Sequence, residues 1–241
     1  MTELIYQTDA YAQTFDASIT DVDVEQNGVY LDRTAFYPGG GGQPHDTGTL
    51  TAGDVTYSVI KVARGNLHLI DGALPAPGTA VTGQLNWERR YQLMRVHTTM
   101  HILCGVIWRD YGASVTGGNM EPLKGRMDFE FERMQRELVD EIEAAINAEV
   151  AAAREVRVNI LPRETAFTIP DLIRTKINLL PEGIAEVRTV EIVGLDLQAD
   201  GGTHVHNTRE VGTIRITDYK SKGGINKRIY IELDDATPPA N

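Results

Sequence analysis

Two short segments, separated by about a hundred residues, carry side chains of the kinds that bind transition metals. The first contains His97 and His101 in an HxxxH pattern, and the second contains Asp200 and His204 in a DxxxH pattern. Residues four apart share one face of a helix, so His97 and His101 can direct two imidazoles at one point. Donor atoms that converge in this way from distant segments form catalytic zinc sites. The spacing therefore predicts one metal site and, with it, a hydrolase.

Each half of this site is a weak signal when taken alone. An HxxxH also arises by chance among core or surface histidines, and this one lacks the glutamate of the protease motif HExxH. Gly201 and Gly202 allow a tight turn that is predicted to place His204 at the start of a strand, although Asp-Gly-Gly is equally typical of an ordinary turn. Asp200 supplies an oxygen donor that zinc accepts. Only the two halves together indicate a metal site.

A glycine run is the third segment that could carry chemistry. Four consecutive glycines, 39–42, are preceded by Phe36-Tyr37-Pro38 and followed by Gln43. The run is not a P-loop, because no Gly-Lys-Ser/Thr follows it. A glycine backbone can approach a ligand closely and direct its N–H groups at an oxygen. The alternative is a flexible hairpin loop, against which the neighbouring rigid aromatic residues argue.

The elements that must position these segments change character along the chain. Residues 1–86 are predicted to form a small β-barrel domain, because short alternating runs such as 29–32, 57–62 and 66–70 are separated by glycine and aspartate turns. Apolar residues at helical spacing predict a helix over 88–108, which carries the HxxxH. His45 and His68 are predicted to be surface or loop residues.

The rest of the chain mixes helices and strands. Two more helices are predicted, at 132–155 and 168–178, and strands are predicted at 129–131, 156–160, 185–192, 210–217 and 228–233, the last two as a hairpin. The predicted fold class is therefore α+β, with a mostly antiparallel sheet in a second domain, 87–233. The tail, 234–241, is predicted to be disordered.

Composition narrows the classes of function. The 241 residues carry a net charge of −11, with 41% hydrophobic and 24% charged residues, as in an ordinary globular protein. There is neither an apolar run long enough for a membrane helix nor a signal-peptide pattern, and the single cysteine, Cys104, suits a reducing compartment. We therefore expect a cytoplasmic protein without a membrane partner, compatible with a monomer. The acidic balance argues against a general nucleic-acid binder but permits one local basic patch.

Taken in order, the motifs of this chain resemble the editing domain of alanyl-tRNA synthetase and its free-standing AlaX relatives. The matching segments are Arg33-Thr34-x-Phe36-Tyr37, Gly41-Gly42-Gln43, Asp46-x-Gly48, Arg95-x-His97-Thr98-x-x-His101, Asp196 to Gly212, Lys220-Ser221-Lys222-Gly223 and Lys227-Arg228. Each is weak alone, but their joint occurrence over most of the chain is specific. The resemblance implies the medium-sized AlaX type, with a glycine-motif β-barrel followed by an editing domain.

The resemblance also implies an activity and its residues. The expected enzyme is an aminoacyl-tRNA deacylase that hydrolyses, in trans, the ester of mischarged tRNA(Ala), with serine and also glycine as the wrong amino acids. One Zn²⁺ per chain is expected on four ligands, His97, His101, Asp200 and His204. Catalysis and substrate recognition are expected of six residues, Thr34, Gly39, Gly40, Gly41, Gly42 and Gln43. The basic residues Lys220, Lys222, Lys227 and Arg228 are expected to bind the tRNA acceptor end, although they also fit a solvated hairpin turn.

One position departs from the family pattern, which usually has cysteine where this chain has Asp200. Replacing a thiolate by a carboxylate removes a soft donor and favours harder ions. Cys104 is the alternative sulfur donor, but a buried core residue is the favoured interpretation. Two other functions stay open at this point: a deacylase for another mischarged tRNA, and a non-catalytic tRNA-binding relative with a decayed metal site.

Overall fold

The computed structural model describes residues 2–173 and 183–235. The chain divides into two compact units, Met1–Tyr91 and Gln92–Asn241. Antiparallel sheets, one of them closed into a barrel, and a few helices confirm the predicted α+β class. The predicted domain boundaries stay predictions, and residues 236–241 of the predicted disordered tail lie outside the described part of the chain.

The first unit contains a closed, antiparallel six-stranded barrel of order β2-β3-β7-β6-β5-β8. Its elements are β1 (Glu3–Leu4), a 3-10 helix (Ile5–Gln7), β2 (Thr14–Asp23), β3 (Gly28–Leu31), β4 (Arg33–Thr34), β5 (Gly48–Ala52), β6 (Val55–Ala63), β7 (Leu67–Ile70) and β8 (Ala80–Leu85), followed by α1 (Trp87–Tyr111). Strand β8 alternates exposed and buried residues, the pattern of a strand with one face in a core. Gly48 is required by close packing, since a Cβ there would lie 2.1 Å from the carbonyl oxygen of Gln84.

A buried ion pair holds the segment between β4 and β5 in the first unit. The Arg90 guanidinium binds the Asp46 carboxylate and donates to the carbonyl oxygens of Ala10 and Ala35, at 2.9 Å and 2.6 Å. Asp46 also accepts a hydrogen bond from the Tyr37 amide, at 2.6 Å. Both charged side chains are almost fully buried, so each depends on the other to offset the loss of hydration.

The second unit combines a four-stranded antiparallel sheet, β14-β15-β10-β9, with a three-stranded antiparallel sheet, β11-β12-β13. Its elements after α1 are β9 (Val115–Glu121), β10 (Lys124–Glu130), α2 (Arg136–Ala151), β11 (Val156–Pro162), α3 (Arg163–Ala166), β12 (Glu186–Ile192), β13 (Asp196–Ala199), a 3-10 helix (Thr208–Val211), β14 (Ile214–Ser221) and β15 (Asn226–Leu233). Among the described residues, none of the helices combines the length and the hydropathy that a membrane crossing requires.

Helix α1 packs in the second unit against two different neighbours. A Cβ on Gly118 of the four-stranded sheet would lie 2.8 Å from Met100 Cε. A Cβ on Gly105, which lies one turn after His101, would lie 2.8 Å from Leu195 Cγ. The face of α1 that carries His101 is therefore directed at the segment that leads into β13.

The predicted helices are confirmed in part. The first is α1, and the second is shorter than predicted because α2 starts at Arg136 and the chain turns at Ala153, whose φ of 51° is left-handed. The helix predicted over 168–178 is wrong for residues 168–173, which are irregular and follow the short α3. Residues 174–178 lie outside the described residues.

The predicted strands at 156–160, 185–192 and 228–233 are confirmed as β11, β12 and β15, and 129–131 overlaps the end of β10. The strand predicted over 210–217 is wrong in its first part. Asn207 and Glu210 form a capping box that begins a 3-10 helix, so β14 starts only at Ile214. The prediction that His204 begins a strand is also wrong, because residues 200–206 are irregular.

The surface or loop position predicted for His68 is wrong. The residue lies in β7 with no exposed area, and it shares a strand face with the core residue Ile70. His68 Nδ1 donates to the Val29 carbonyl oxygen at 3.3 Å, so Nε2, 2.9 Å from Thr34 Oγ1, is left to accept the threonine hydroxyl.

This burial makes the stability of the protein depend on pH. Burial lowers the pKa of His68 from 6.5 to about 4. Between these values the unfolded chain binds a proton that the folded state rejects, so the free energy of unfolding falls as the pH decreases. We expect His68 to account for a loss of about 2 kcal/mol between pH 6.5 and pH 5. Urea unfolding at several pH values should show a weaker pH dependence for His68→Gln, and an unchanged dependence would contradict this assignment.

Candidate metal centre

Four side chains converge at one point of the second unit. One donor atom from each of His97, His101, Asp200 and His204 lies within 4.8 Å of the other three. The three histidines are buried, and the Asp200 side chain keeps 15% of its exposure. Helix α1 supplies the first two ligands from consecutive turns, and the irregular segment after β13 supplies the other two. The structure therefore brings together all four residues that the sequence analysis predicted as ligands.

The spacing of the donor atoms suits a tetrahedral ion. Asp200 Oδ1 lies 3.0 Å from His204 Nε2, and Asp200 Oδ2 lies 3.6 Å from His97 Nε2. Ligand atoms about 2.0–2.1 Å from a tetrahedral zinc ion are about 3.3 Å apart. Three imidazole nitrogens and one carboxylate oxygen are a donor set that zinc accepts. The residues present thus fit this metal, and the oxygen makes the set harder than one with a thiolate.

The main chain of the irregular segment is fixed around Asp200. The Gly202 amide donates to Asp200 Oδ1 at 2.8 Å, which orients the carboxylate. The buried Arg188 donates from Nη1 to the Asp200 carbonyl oxygen at 2.9 Å. These bonds hold both the backbone and the side chain of this ligand in place.

A second layer of side chains orients the histidines. His101 Nδ1 lies 3.0 Å from Asp196 Oδ2, and the carboxylate accepts a further hydrogen bond from Gln198 Nε2 at 2.7 Å. His204 Nδ1 lies 3.3 Å from Thr98 Oγ1, which also accepts from the Val205 amide at 3.2 Å. Such partners fix the ring orientation and leave the opposite nitrogen for the metal.

These second-layer roles were missed by sequence reasoning. Asp196 and Thr98 lie inside the matching motifs, but the motifs do not indicate what these two residues do. Arg188 lies outside the motifs. The signal for Asp196 was its position at the start of the predicted ligand segment, because metal-binding histidines usually donate to a carboxylate. His206, two residues after His204, is exposed.

The electrostatics of the centre favour the protonation state that a metal requires at three of the four ligands. Burial lowers the pKa of His97 to about 4, and burial together with His97 lowers the pKa of His204 well below its usual value. Burial would raise the pKa of Asp200, but the surrounding imidazoles hold it well below its usual range. Burial opposes the charged form of His101 too, yet the hydrogen bond and charge of Asp196 raise its pKa. The centre thus offers an ionised carboxylate beside two imidazoles, His97 and His204, that favour the neutral form, whereas Asp196 favours the charged form of His101.

The glycine run forms a defined turn in the first unit rather than a flexible loop. Gly40 and Gln43 exchange two backbone hydrogen bonds, of 3.0 Å and 2.8 Å, around Gly41 and Gly42, whose φ angles are 57° and 90°. Positive φ at both central residues is the requirement of a type I′ turn, which explains the glycines. Tyr37 donates its hydroxyl to the Gly40 carbonyl oxygen at 3.1 Å.

Thr34, Gln43 and the glycines of the turn all lie in the first unit. Thr34 is fully buried, and its hydroxyl accepts from the Phe36 amide at 3.1 Å while it donates to His68. Gln43 is buried, with 2% of its surface exposed. The recognition roles expected of these residues stay predictions.

The four basic residues lie on one hairpin but on opposite sides of it. Lys220 and Lys222 are exposed, and Arg228 binds Asp128 through two hydrogen bonds of 2.6 Å and 2.7 Å. Lys227 is buried and donates from Nζ to the Gly224 carbonyl oxygen at 2.6 Å. Lys227 and Arg228 lie on opposite faces because successive side chains of a strand such as β15 alternate between its two faces.

The contact between Asp196 and His101 yields a prediction about metal affinity. In Asp196→Asn the charged acceptor that orients the imidazole is lost, so the affinity for Zn²⁺ should fall about 10- to 100-fold. Competition with a chromophoric chelator measures this directly. Asp140→Asn, which removes a carboxylate from the exposed pair with Arg136, is the matched control. Equal affinity of Asp196→Asn and the control would mean that Asp196 does not support the metal.

Comparisons with known proteins identify the relatives of this chain. The family described as "Threonyl and Alanyl tRNA synthetase second additional domain" matches residues 187–230, and the family "tRNA synthetases class II (A)" matches residues 5–89.

The alanyl-tRNA editing protein AlaX-M of Saccharolobus solfataricus is 40% identical over 240 residues, which cover 95% of this chain and 98% of the relative. AlaX-M of Methanosarcina acetivorans is 36% identical over 98% of this chain and 100% of its own length. The alanine–tRNA ligase of Ignicoccus hospitalis is 37% identical over 89% of this chain, but only 24% of the ligase is covered. The identity to the two AlaX-M proteins, over nearly the whole of this chain and of each relative, shows that the chain belongs to the AlaX-M family of alanyl-tRNA editing proteins.

Proposed function

We propose that this protein is an aminoacyl-tRNA deacylase that hydrolyses, in trans, the ester of mischarged tRNA(Ala), with seryl-tRNA(Ala) and glycyl-tRNA(Ala) as its substrates. The observation that carries the proposal is the buried cluster of three histidines and one aspartate. Action in trans is supported by the similarity to the AlaX-M editing proteins, which are matched over 98% and 100% of their own length.

The proposed cofactor is one Zn²⁺ ion on His97, His101, Asp200 and His204. When bound, zinc supplies a Lewis acid for the ester carbonyl or the attacking water. Other side chains of the protein position the ligands. Asp196 holds the His101 ring, Thr98 holds the His204 ring, and burial keeps bulk water from competing for the centre.

Discrimination is proposed to depend on the hydroxyl of serine. An aminoacyl ester is already activated, so the harder task is to leave the correct alanyl ester intact. A site that forms hydrogen bonds with a substrate hydroxyl rejects alanine, because the polar groups of the site would stay unpaired when alanine is bound. Thr34 and Gln43 are proposed as these neutral groups. His68 takes the proton of the Thr34 hydroxyl, so Thr34 can only accept a further hydrogen bond, which suits a donating serine hydroxyl.

The glycine turn is proposed to donate N–H groups to the oxyanion or to the terminal ribose. The turn already uses the Gly40 amide for the Gln43 carbonyl, so Gly40 contributes through its conformation. The amides of Gly39, Gly41 and Gly42 are the proposed donors. Preorganisation supports the role, because a hydrogen-bonded turn loses little entropy when an anion binds.

The proposed partner is the acceptor end of tRNA(Ala). Lys220, Lys222 and Arg228 are proposed to bind its phosphates, whereas the buried Lys227 is proposed to act by shaping the turn through Gly224. A short patch of this kind is compatible with the overall acidic charge of the chain.

The test is the rate of deacylation of seryl-tRNA(Ala), with alanyl-tRNA(Ala) as the control substrate and zinc supplied. We expect selective loss of serine, and we expect His204→Ala to abolish it because a ligand is removed. His206→Ala, which changes an exposed histidine of the same segment, should keep the wild-type rate. Circular dichroism verifies that each variant is folded. Failure of folded, zinc-loaded wild-type protein to hydrolyse either ester would contradict the proposal and favour a binding role.

A separate prediction concerns the unusual ligand. Asp200→Cys restores a thiolate that zinc binds strongly, so the affinity for Zn²⁺ should be equal to or higher than that of the wild type. Preference for Zn²⁺ over Mn²⁺ should rise as well, because the donor set becomes softer. Chelator competition with each ion gives both values. If the variant binds no metal, Asp200 has a role other than ligation.

A further inference from the structure

The four-stranded sheet of the second unit has one buried and one solvent face. On β15 the odd-numbered residues from Lys227 to Leu233 are buried, and the even-numbered residues between them are partly exposed. The buried residues of β10, Gly125, Met127 and Phe129, alternate with Lys124, Arg126 and Asp128 in the same manner. The even-numbered residues therefore form a continuous solvent face.

Tyr230 lies at the centre of this face. In the strand register it stands between Asp218 on β14 and Arg126 on β10. The next row towards the hairpin turn contains Lys220, Arg228, Asp128 and Gly117, one from each strand. Gly117 has no side chain, and the row of Tyr230 ends at the short side chain of Asn119. Among the described residues of these two rows, Tyr230 is thus the one aromatic residue, and its neighbours are polar or have short side chains.

Cations surround the ring. Lys220 Nζ lies 5.1 Å and Arg228 Cζ lies 5.9 Å from the ring centroid. Arg126 lies beside it in the register, with its side chain 33% exposed. Lys222, in the adjoining turn, adds a further exposed charge.

The acids of the same area do not balance these cations. Asp128 is shared by Arg126, at 3.7 Å, and Arg228, and Asp218 pairs with Lys220 at 2.8 Å. Glu130, paired with Asn226 in the row next to the turn, is a third carboxylate of this face. Four cations therefore face three carboxylates at the turn end of the sheet, in a chain whose net charge is −11. The local sign of the charge is opposite to that of the whole protein, which favours an anionic partner here.

We propose that this face binds an unpaired stretch of RNA, with one base stacked on Tyr230 and the flanking phosphates on Lys220, Arg126 and Arg228. An aromatic ring on an open sheet face, bordered by basic side chains, is an arrangement that binds single-stranded nucleic acid. Lys220 is 58% exposed, and its long side chain can move from the ring to a phosphate when a base arrives. The choice of tRNA as the source of the strand rests on the proposed function, since the single-stranded 3′ end is the part that a deacylase must hold.

The test measures binding of two uncharged tRNA(Ala) transcripts, one complete and one without its single-stranded 3′ end, by fluorescence anisotropy. Base stacking on an aromatic residue contributes about 1–3 kcal/mol, which corresponds to about a 5- to 150-fold change in Kd. We expect Tyr230→Leu to weaken binding of the complete transcript by this factor and to leave the truncated transcript unaffected. Tyr230→Phe, which keeps the ring, is the matched control and should bind the complete transcript with nearly wild-type affinity.

Two results would overturn the inference. One is wild-type affinity of Tyr230→Leu for the complete transcript. The other is equal weakening for both transcripts, which would assign Tyr230 to the fold or to the duplex. Hydrolysis of seryl-tRNA(Ala) by the wild type, measured separately, keeps the two proposals distinct. Ring-dependent binding without hydrolysis would contradict only the proposed activity, and hydrolysis without ring-dependent binding would contradict only the role of Tyr230.

Discussion

Helix α1 and the segment after β13 meet through four ionisable side chains that have little access to water. Removing imidazoles and a carboxylate from water is costly unless each finds a partner, so this contact constrains both elements closely. Asp200 gains the Gly202 amide and His101 gains Asp196. A bound divalent cation would use the remaining lone pairs and neutralise the carboxylate, so metal binding would stabilise the folded form of this region. Packing of α1 against the sheet and the capping box at Asn207 hold the two sides in place.

The carboxylate at position 200 changes the chemistry of the centre without changing its charge. Its two oxygens approach two different histidines, Oδ1 towards His204 and Oδ2 towards His97, whereas a thiolate offers one sulfur atom. Oδ1 also accepts a backbone hydrogen bond, which a sulfur accepts only weakly. The surrounding hydrogen bonds are therefore matched to an oxygen ligand.

In the first unit, too, buried charged groups are stabilised by a partner, here in an ion pair. Arg90 and Asp46 are both buried, and together they fix the chain between β4 and β5, the segment that carries the glycine turn. The turn is closed by its own hydrogen bonds and by the Tyr37 hydroxyl. Its backbone amides are thus presented from a rigid frame, as the proposed recognition of an oxyanion or ribose would require. Glycine is needed there for conformation, while Gly48 is needed for close packing.

The residue pattern was sufficient to predict the α+β class, the helix that carries His97 and His101, and the four residues that converge in the candidate metal centre. These follow from local periodicity and from donor chemistry, both of which are written in residue types. It did not determine that His68 is buried, that Asp196 supports His101, or that Lys227 lies on the opposite face from Arg228. It also misplaced the start of β14, because a capping box outweighed β propensity. Each of these depends on which distant segments pack together, and burial and hydrogen-bond partners are properties of that packing rather than of the residues in sequence.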